Sequence, residues 1–419
     1  MSEDDDGPLR RIEPVRGTQD LLPWDAARWS GAETEIRRVL ATYGFSEIRT
    51  PIFEHAELYR RPLGLGSDVV AKEMYEFTDK GGRLLALRPE GTAGVVRAYI
   101  SRGLYAKGAR HKLFYIGPIF RYDRPQAGRF RQHHQVGVEV FGDPSAAVDA
   151  ELVELGSAIL DSLGVSGYER RINSGGCPSC RPVFEKSLHD YASARKSRLC
   201  KDCAGHRLEH NVLRILDCKI SECRAEMAGA PFITDFLCGE CGGHFKALLG
   251  HLDNLDVAYR VDRRLVRGFD YYTRTVYEFI HPVAGTVLGG GRYDGLVALL
   301  GGPTTPGSGW GMGLERTLGL STTAFPPAGI RAFVTAVNPD VFRRAMRLCR
   351  DLRKAGITCE IGMEGRSLNS QMRTAGSSRA SFALIVGIDE KVGVKDLGSG
   401  KQEDVSEAEI PRLLKGPKC

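Results

Sequence analysis

No run of about 18 consecutive apolar residues occurs in the 419-residue chain, so nothing in it reads as a membrane span. The opening Met1-Ser2-Glu3-Asp4-Asp5-Asp6 is acidic and lacks the basic-then-apolar order of a secretory signal. It reads as a frayed tail over 1–15, and the expected location is cytoplasmic. No G-x-x-x-x-G-K-[ST] loop is present, which excludes a P-loop nucleotide hydrolase, and no G-x-G-x-x-G opens a βαβ unit. Kinase signatures, internal repeats and low-complexity tracts are missing too. What remains is an ordinary globular composition, 42% hydrophobic and 26% charged, in a chain long enough for two or three domains. One-signed charge is scarce as well. The net value is +6, and beyond residue 329 there are 16 Lys and Arg against 11 Asp and Glu. A basic terminal segment suits an RNA or phosphate surface, although on charge alone a solvated face is the better reading.

Cysteine is the residue type with an uneven distribution. Of eleven, eight fall between Cys177 and Cys241, with three pairs spaced C-x-x-C. In a long chain without an export signal this points to reduced thiols or metal ligands rather than a disulfide scaffold. Cys177, Cys180, Cys200 and Cys203 have zinc-ribbon spacing and are the expected ligands of a structural Zn²⁺, with Cys238 and Cys241 as a further knuckle.

Along the chain, Asp25 is expected to cap a helix carrying Trp29, Ile36, Leu40 and Tyr43, ended by Gly44. Residues 45–53, with Pro51 inside, predict an edge strand. Short strands follow around the hairpin signal Asp79-Lys80-Gly81-Gly82, then a helix over 92–102. Two long strands, 113–122 and 132–141, flank a polar loop, and 146–163 reads as an amphipathic helix. Strand-like sequence resumes at Tyr259 after the cysteine-rich block, which therefore looks inserted. The expected organisation is an α+β domain from 16–172 and 251–320, a cysteine-rich insertion at 173–250 and a Pro/Gly linker at 321–329. Strands and helices then alternate over 330–419, which predicts a small α/β domain.

Three arginine-bearing segments stand out: Phe120-Arg121 with its loop to Gln135, Leu265-Val266-Arg267-Gly268-Phe269-Asp270-Tyr271-Tyr272, and Gly311-Met312-Gly313-Leu314-Glu315-Arg316. One arginine beside glycine is more often a surface charge. Several planar forks converging would suit a nucleoside triphosphate, and without a glycine loop such a site would be built on an antiparallel sheet. The first and third segments resemble motifs 2 and 3 of class II aminoacyl-tRNA synthetases. Ile48-Arg49-Thr50-Pro51-Ile52-Phe53-Glu54 resembles motif 1, a dimerisation element. Leu265 to Tyr272 and Gly289-Gly290-Gly291-Arg292-Tyr293-Asp294-Gly295-Leu296 narrow the resemblance to the histidyl-tRNA synthetase family. Leu87 to Ala93 and Arg16 to Pro23 agree, and the likeness runs from about Arg16 to Val405. The last domain resembles the anticodon-binding domain of several class II enzymes, carried by Ser367 to Met372 and Val394 to Leu397. The segment 386–394 is shorter than the usual hairpin there.

The resemblance implies a homodimeric histidine–tRNA ligase, a class II fold with an antiparallel catalytic sheet, and L-histidine, ATP, Mg²⁺ and tRNA for histidine as ligands. Arg121 would grip the ATP α-phosphate and the histidine carboxylate, and Arg316 the γ-phosphate. Arg267 would meet charge building on the α-phosphate. Glu90, Thr92 and Gln135 would hold the α-amino group, and Glu139 with Tyr272, beside Tyr271, would read the imidazole. Arg124, Gln126 and Arg129 would touch the tRNA acceptor end. The residue types suit the chemistry, because carboxylate attack on phosphate brings anion to anion and cations lower that barrier. The nucleophile belongs to the substrate, so no catalytic Ser, Cys or His is required. His133-His134 reads as packing rather than as a metal or catalytic pair. Glu139 on a strand pattern would equally suit a buried structural carboxylate. A competing reading is the non-catalytic paralogue that regulates a phosphoribosyltransferase of histidine synthesis. It typically lacks the arginine motif and the terminal domain, both of which this chain keeps.

Overall fold

Helix α1 (Pro23–Thr42) starts on a proline, whose fixed φ suits the first helical position and whose missing N–H costs nothing there. Asp25, expected as the cap, lies instead inside the first turn, because the proline begins the helix earlier. Its carboxylate still faces the positive helix end. Gly44, at φ +75°, follows the helix as expected. The single edge strand expected over 45–53 is divided: β1 (Ser46–Glu47) and β2 (Phe53–His55) belong to different sheets. Pro51 lies between them, where a missing N–H cannot interrupt a ladder.

The computed structural model describes residues 12–63, 69–108, 110–123, 130–267, 271–326 and 329–415. It divides into two units, Met1–Ala324 and Phe325–Cys419. In the first, β1, β2 and α2 (Glu57–Leu63) precede β3 (Glu76–Thr78), β4 (Leu84–Leu87) and α3 (Thr92–Ser101). Strands β5 (His111–Phe120) and β6 (Gln132–Phe141), helix α4 (Ala146–Ser162) and β7 (Glu169–Ser174) lead into the cysteine-rich segment. That segment is helical: α5 (Cys180–Ser193), α6 (Leu208–His210), α7 (Ser221–Glu226) and α8 (Gly239–Asn254). Then come β8 (Arg260–Val261), β9 (Thr273–His281), β10 (Gly285–Arg292), α9 (Leu296–Leu299), β11 (Gly307–Gly313) and α10 (Leu314–Leu320).

The main sheet has eight strands in the order β1-β5-β6-β11-β10-β9-β7-β8. Its six central strands pair antiparallel, and only the outermost pairs, β1 with β5 and β7 with β8, are parallel. A smaller antiparallel sheet, β2-β4-β3, carries the expected Asp79–Gly82 turn, where Asp79 accepts from the N–H groups of Gly81 and Arg83 at 2.9 Å. Strand alternation sorts the main sheet. On β6, Val136, Val138 and Val140 are buried on one face, while Gln135, Gly137 and Glu139 point to the other. Helix α4 covers β10 and β11, and Trp310 on β11 donates to the Leu152 carbonyl at 3.0 Å.

The second unit contains β12 (Ala332–Ala336), α11 (Phe342–Lys354), β13 (Cys359–Ile361), α12 (Leu368–Ser377), β14 (Phe382–Val386), β15 (Val392–Asp396), β16 (Gln402–Val405) and α13 (Ile410–Lys415). Its sheet runs β13-β12-β14-β15-β16, parallel over the first three strands and antiparallel over the rest. Phe342, Ala345, Leu348, Cys349 and Leu352 form the buried stripe of α11, at helical spacing. The segment 386–394 does form a hairpin, between β14 and β15. Strand β16, Gln402-Glu403-Asp404-Val405, was not foreseen, since almost nothing apolar marks it.

Candidate active site

A cavity of about 500 Å³ opens against the main sheet. Strand pairing builds its floor. Gly309 lies opposite Glu139, Gly311 opposite Gly137, and Gly117 opposite Gln135. These glycines leave room that side chains use. A Cβ on Gly309 would stand 2.1 Å from a Glu139 carboxylate oxygen, and one on Gly311 would stand 2.4 Å from the Gln135 amide nitrogen. One on Gly289 would stand 2.4 Å from the Arg267 guanidinium. Each polar group thus lies flat against bare backbone.

One side of the cavity is acidic. Glu90 is 3% exposed at the start of α3, and its oxygens accept the N–H groups of Thr92 and Ala93, both at 2.7 Å. The Thr92 hydroxyl donates in turn to Glu139 Oε1 at 2.7 Å, and Tyr293 donates to Glu139 Oε2. Burial pushes the Glu139 carboxyl up to about 8, and the Glu90 charge adds to this while Tyr293 and Thr92 oppose it. Glu90 is also raised, chiefly by burial. Neither carboxyl has an ion-pair partner among the described residues. Tyr115 donates to Gln135 Oε1 at 2.8 Å, which aims the amide nitrogen of Gln135 as a donor.

Three arginines line the same cavity. Arg121, on the chain just past β5, donates through Nε to the Pro89 carbonyl at 2.7 Å. Arg316, in the first turn of α10, donates to the Thr286 carbonyl at 2.9 Å. Arg267 is ion-paired with Glu278 on β9, which also accepts from Thr286 Oγ1 at 3.1 Å, and the guanidinium lies 5.5 Å from the Tyr272 ring centre. Burial works against its charge, but Tyr272 and Glu278 hold its pKa above the ordinary value. His133 shares the cavity. Burial and the neighbouring Arg121 pull its pKa down to about 3, so its ring is neutral. His134 faces away, accepted at its N–H by Glu315 and edge-on to Trp29.

Of the expected residues, Arg121, Arg267, Arg316, Glu90, Thr92, Gln135, Tyr271 and Tyr272 all line this cavity. Glu139 sits immediately behind the wall, held by Thr92 and Tyr293. Arg124, Gln126 and Arg129 lie outside the described residues. Sequence reasoning missed four participants. Tyr293 lay inside the glycine-rich segment already singled out, and Tyr115 on a strand whose alternation faces it to Gln135. Glu278 and Arg214, the latter from the cysteine-rich segment, carried no signal.

Beneath the floor, Arg292 is fully buried. It pairs with Asp149 on α4 at 2.9 Å and reaches the carbonyls of Asp143 and Ser145. Thr275 donates to the same carboxylate at 2.6 Å, and His244 Nε2 on α8 lies 2.8 Å away. Burial opposes the Asp149 charge, yet His244, Arg292 and Thr275 together hold its pKa below the usual value.

The expected metal ligand set needs correction. Cys177, Cys180, Cys200 and Cys203 do not come together. Cys177 and Cys180 meet Cys238 and Cys241, while Cys200 and Cys203 meet Cys218 and Cys223. The C-x-x-C pairs are each real knuckles, but the helical path of the insertion returns the chain to the first pair only at the start of α8.

A family model described as histidyl-tRNA synthetase matches residues 17–173 and 234–317, and one described as an anticodon binding domain matches 331–416. The chain is 48% identical over 415 residues to the histidine–tRNA ligase of Desulforudis audaxviator, covering 96% of this chain and 98% of that enzyme. It is 46% identical over 411 residues to that of Desulforamulus reducens, covering 96% and 98%. The crystal structure of apo S. aureus histidyl-tRNA synthetase superposes with a TM-score of 0.81 at 33% identity, over 97% of this chain and all of that one.

Proposed function

Since the chain belongs to the histidyl-tRNA synthetase family and is an ATP-dependent histidine–tRNA ligase, we propose how its residues divide the work. The enzyme joins L-histidine to ATP as histidyl-adenylate, releasing pyrophosphate, and then passes histidine to the 3′ end of its tRNA. The observation that carries the assignment of roles is that two buried carboxyls with no ion-pair partner among the described residues, Glu90 and Glu139, belong to one site with three arginines. A guest with one cationic and one anionic end matches both sets of groups.

The α-ammonium of histidine enters between Glu90, Thr92 and Gln135. Its imidazole lies toward Tyr271, Tyr272 and Tyr293, with Glu139 behind them favouring a protonated ring nitrogen. The carboxylate is thereby turned to Arg121, which also takes an α-phosphate oxygen, and Arg316 takes the γ-phosphate. As the carboxylate oxygen bonds to phosphorus and pyrophosphate leaves, negative charge rises on the α-phosphate. Arg267, held ready by Glu278, meets that charge with little reorganisation. His133, being neutral, adds no competing charge. Glu73, Asp123 and Glu315 also line the cavity and are hard oxygen donors of the kind Mg²⁺ takes, where the ion would offset phosphate charge. In the second step the terminal hydroxyl of tRNA attacks the acyl carbon and AMP leaves, with Arg121 and Arg267 already on its phosphate. Arg124, Gln126 and Arg129 would guide the acceptor end.

The basic second unit takes the anticodon. Phe53 and Phe77 are exposed and share one face of the small β2-β4-β3 sheet, opposite Leu87 and Leu85 of β4, an apolar surface suited to a second copy of the chain, so the reading includes a homodimer. Structural zinc in the cysteine-rich insertion and a cytoplasmic setting complete it. Pyrophosphate exchange with each of the twenty amino acids tests the assignment. Exchange with histidine alone supports it; exchange with none rejects it.

A further inference from the structure

The two cysteine clusters are nested in the chain. Cys177 and Cys180 at the beginning of the insertion join Cys238 and Cys241 at its end, and between them lies the second set, Cys200, Cys203, Cys218 and Cys223. In each set all four sulfurs lie within 4.8 Å of one another. Individual separations are 3.5 Å for Cys177–Cys180, 3.9 Å for Cys177–Cys238 and 4.0 Å for Cys200–Cys218. A sulfur–sulfur bond is about 2.05 Å, whereas a tetrahedron with Zn–S of about 2.3 Å has edges of about 3.8 Å. The spacing is that of the tetrahedron. Backbone N–H groups support the charge such ligands carry: Cys238 N–H donates to Cys180 Sγ at 3.1 Å, and Cys200 N–H to Cys223 Sγ at 2.8 Å. Four thiolates with no open position select a closed structural site rather than a catalytic one.

The inner set has a further neighbour. Cys218 ends a short stretch that begins with the turn Val212–Ile215, and Arg214 in that turn lines the active-site cavity that Arg121 and Arg267 also line. The Arg214 carbonyl accepts from Arg207 at 2.8 Å, and Arg207 follows Cys203 within the same set of turns. Ile215 and Leu216 pack among the thiols in the insertion's own core. The turn is therefore gripped from both sides by ligands of one cluster while its arginine reaches a cavity built by another part of the fold.

We propose that the insertion holds two Zn²⁺ ions, each bound by four thiolates, and that the inner ion fixes Arg214 in the cavity as a contact for a substrate phosphate. The outer ion closes the insertion at its base, next to α8, whose His244 meets Asp149 under the catalytic floor. The phosphate belongs to ATP or to the 3′-terminal nucleotide of tRNA. The second limb rests on the reading of the cavity as the histidine and ATP site; the zinc count does not.

Elemental analysis and native mass spectrometry of the full-length protein, prepared without chelator, test the first limb. The expected result is two zinc ions per chain, with Cys218→Ser retaining one. One ion or none in the wild type overturns it, as does iron in place of zinc or a thiol titration in denaturant with chelator that finds the eight sulfurs oxidised. Arg214→Ala tests the second limb without touching a ligand. It should keep both ions and the wild-type melting temperature. Loss of one charged hydrogen bond predicts a roughly 10- to 100-fold defect. A raised KM for ATP in pyrophosphate exchange assigns ATP; a slow transfer from preformed adenylate assigns the tRNA end. Wild-type behaviour in both steps overturns the role of Arg214. Absence of exchange in the wild type would instead reject the functional reading.

Discussion

Glu139→Gln should separate what the carboxyl does for binding from what it costs the fold. The group is 1% exposed and its pKa rises to about 8 from an ordinary 4.5. The largest cause is burial, with the Glu90 charge adding to it. A carboxyl raised on folding leaves stability intact below its unfolded pKa, then erodes it until the pH passes the folded value. From pH 6 to pH 9 the erosion amounts to about 3 kcal/mol, at about 1.4 kcal/mol per pH unit until the folded pKa is reached. Glutamine does not titrate. Thr92 and Tyr293 meet different oxygens, so one hydroxyl still donates to the amide oxygen while the other turns to accept from the amide N–H, and the pH-independent cost is small, about 1 kcal/mol. Unfolding of both proteins in urea, without ligands, at several pH values therefore should show the variant gaining on the wild type by about 3 kcal/mol between pH 6 and pH 9. Above pH 8, where the wild-type carboxyl is ionised, histidine should bind the variant about 10-fold more weakly, since a charged acceptor behind the imidazole has become neutral, and the difference should shrink toward pH 6. Parallel stability curves together with an unchanged histidine KM would refute both the burial argument and the role assigned to the residue.

Arg267→Ala should slow adenylate formation ~10²–10³-fold with histidine and ATP binding within a few-fold, and should affect transfer from preformed adenylate much less, as single-turnover kinetics would show. Gly289→Ala should imitate it in rate, because the added methyl would stand 2.4 Å from the Arg267 guanidinium and drive it from its place beside Glu278; a normal exchange rate would speak against the close fit. Asp149→Asn should lower stability by about 3 kcal/mol in chemical denaturation, since the buried Arg292 guanidinium loses its buried counter-charge and keeps only the partly exposed Asp294 at 3.1 Å. Removing the chain beyond Phe325 should leave part of the histidine-dependent exchange while tRNA charging falls steeply, and in the full chain the tRNA KM should rise with salt.

How legible the site was depended on what each residue advertises. Arg121, Arg267 and Arg316 sit in glycine-flanked segments that resemble family motifs, and all three reach one cavity. Gln135 and Glu139 share a face because strands alternate, which sequence can state. That Gly309 and Gly311 lie against them depends on register between strands far apart in the chain, which sequence cannot state. The cysteines show the same limit in another form. C-x-x-C is a local turn and was readable pair by pair, but the choice of partner pair is made by the helical path between them. Arg214 was invisible for that reason: nothing in Val212-Leu213-Arg214-Ile215 marks it apart from a surface turn until the fold brings it to the cavity.

The order of strands also sets a timetable for synthesis. Glu139 and the Gly309 that accommodates it are about 170 residues apart, and β11 is both the late strand and the one that lies between β6 and β10. Until Gly313 has left the ribosome, β6 presents a full-length open edge, and its Val136, Val138 and Val140 lie beside a gap that β11 will fill. An open edge of this kind invites pairing with a neighbouring nascent chain. The insertion, with its local turns and thiol knuckles, is complete well before then and can fold while the catalytic sheet is still waiting. A ribosome pause placed before β11 would thus hold the chain in its most aggregation-prone form, whereas one placed after α10 would be harmless to this unit.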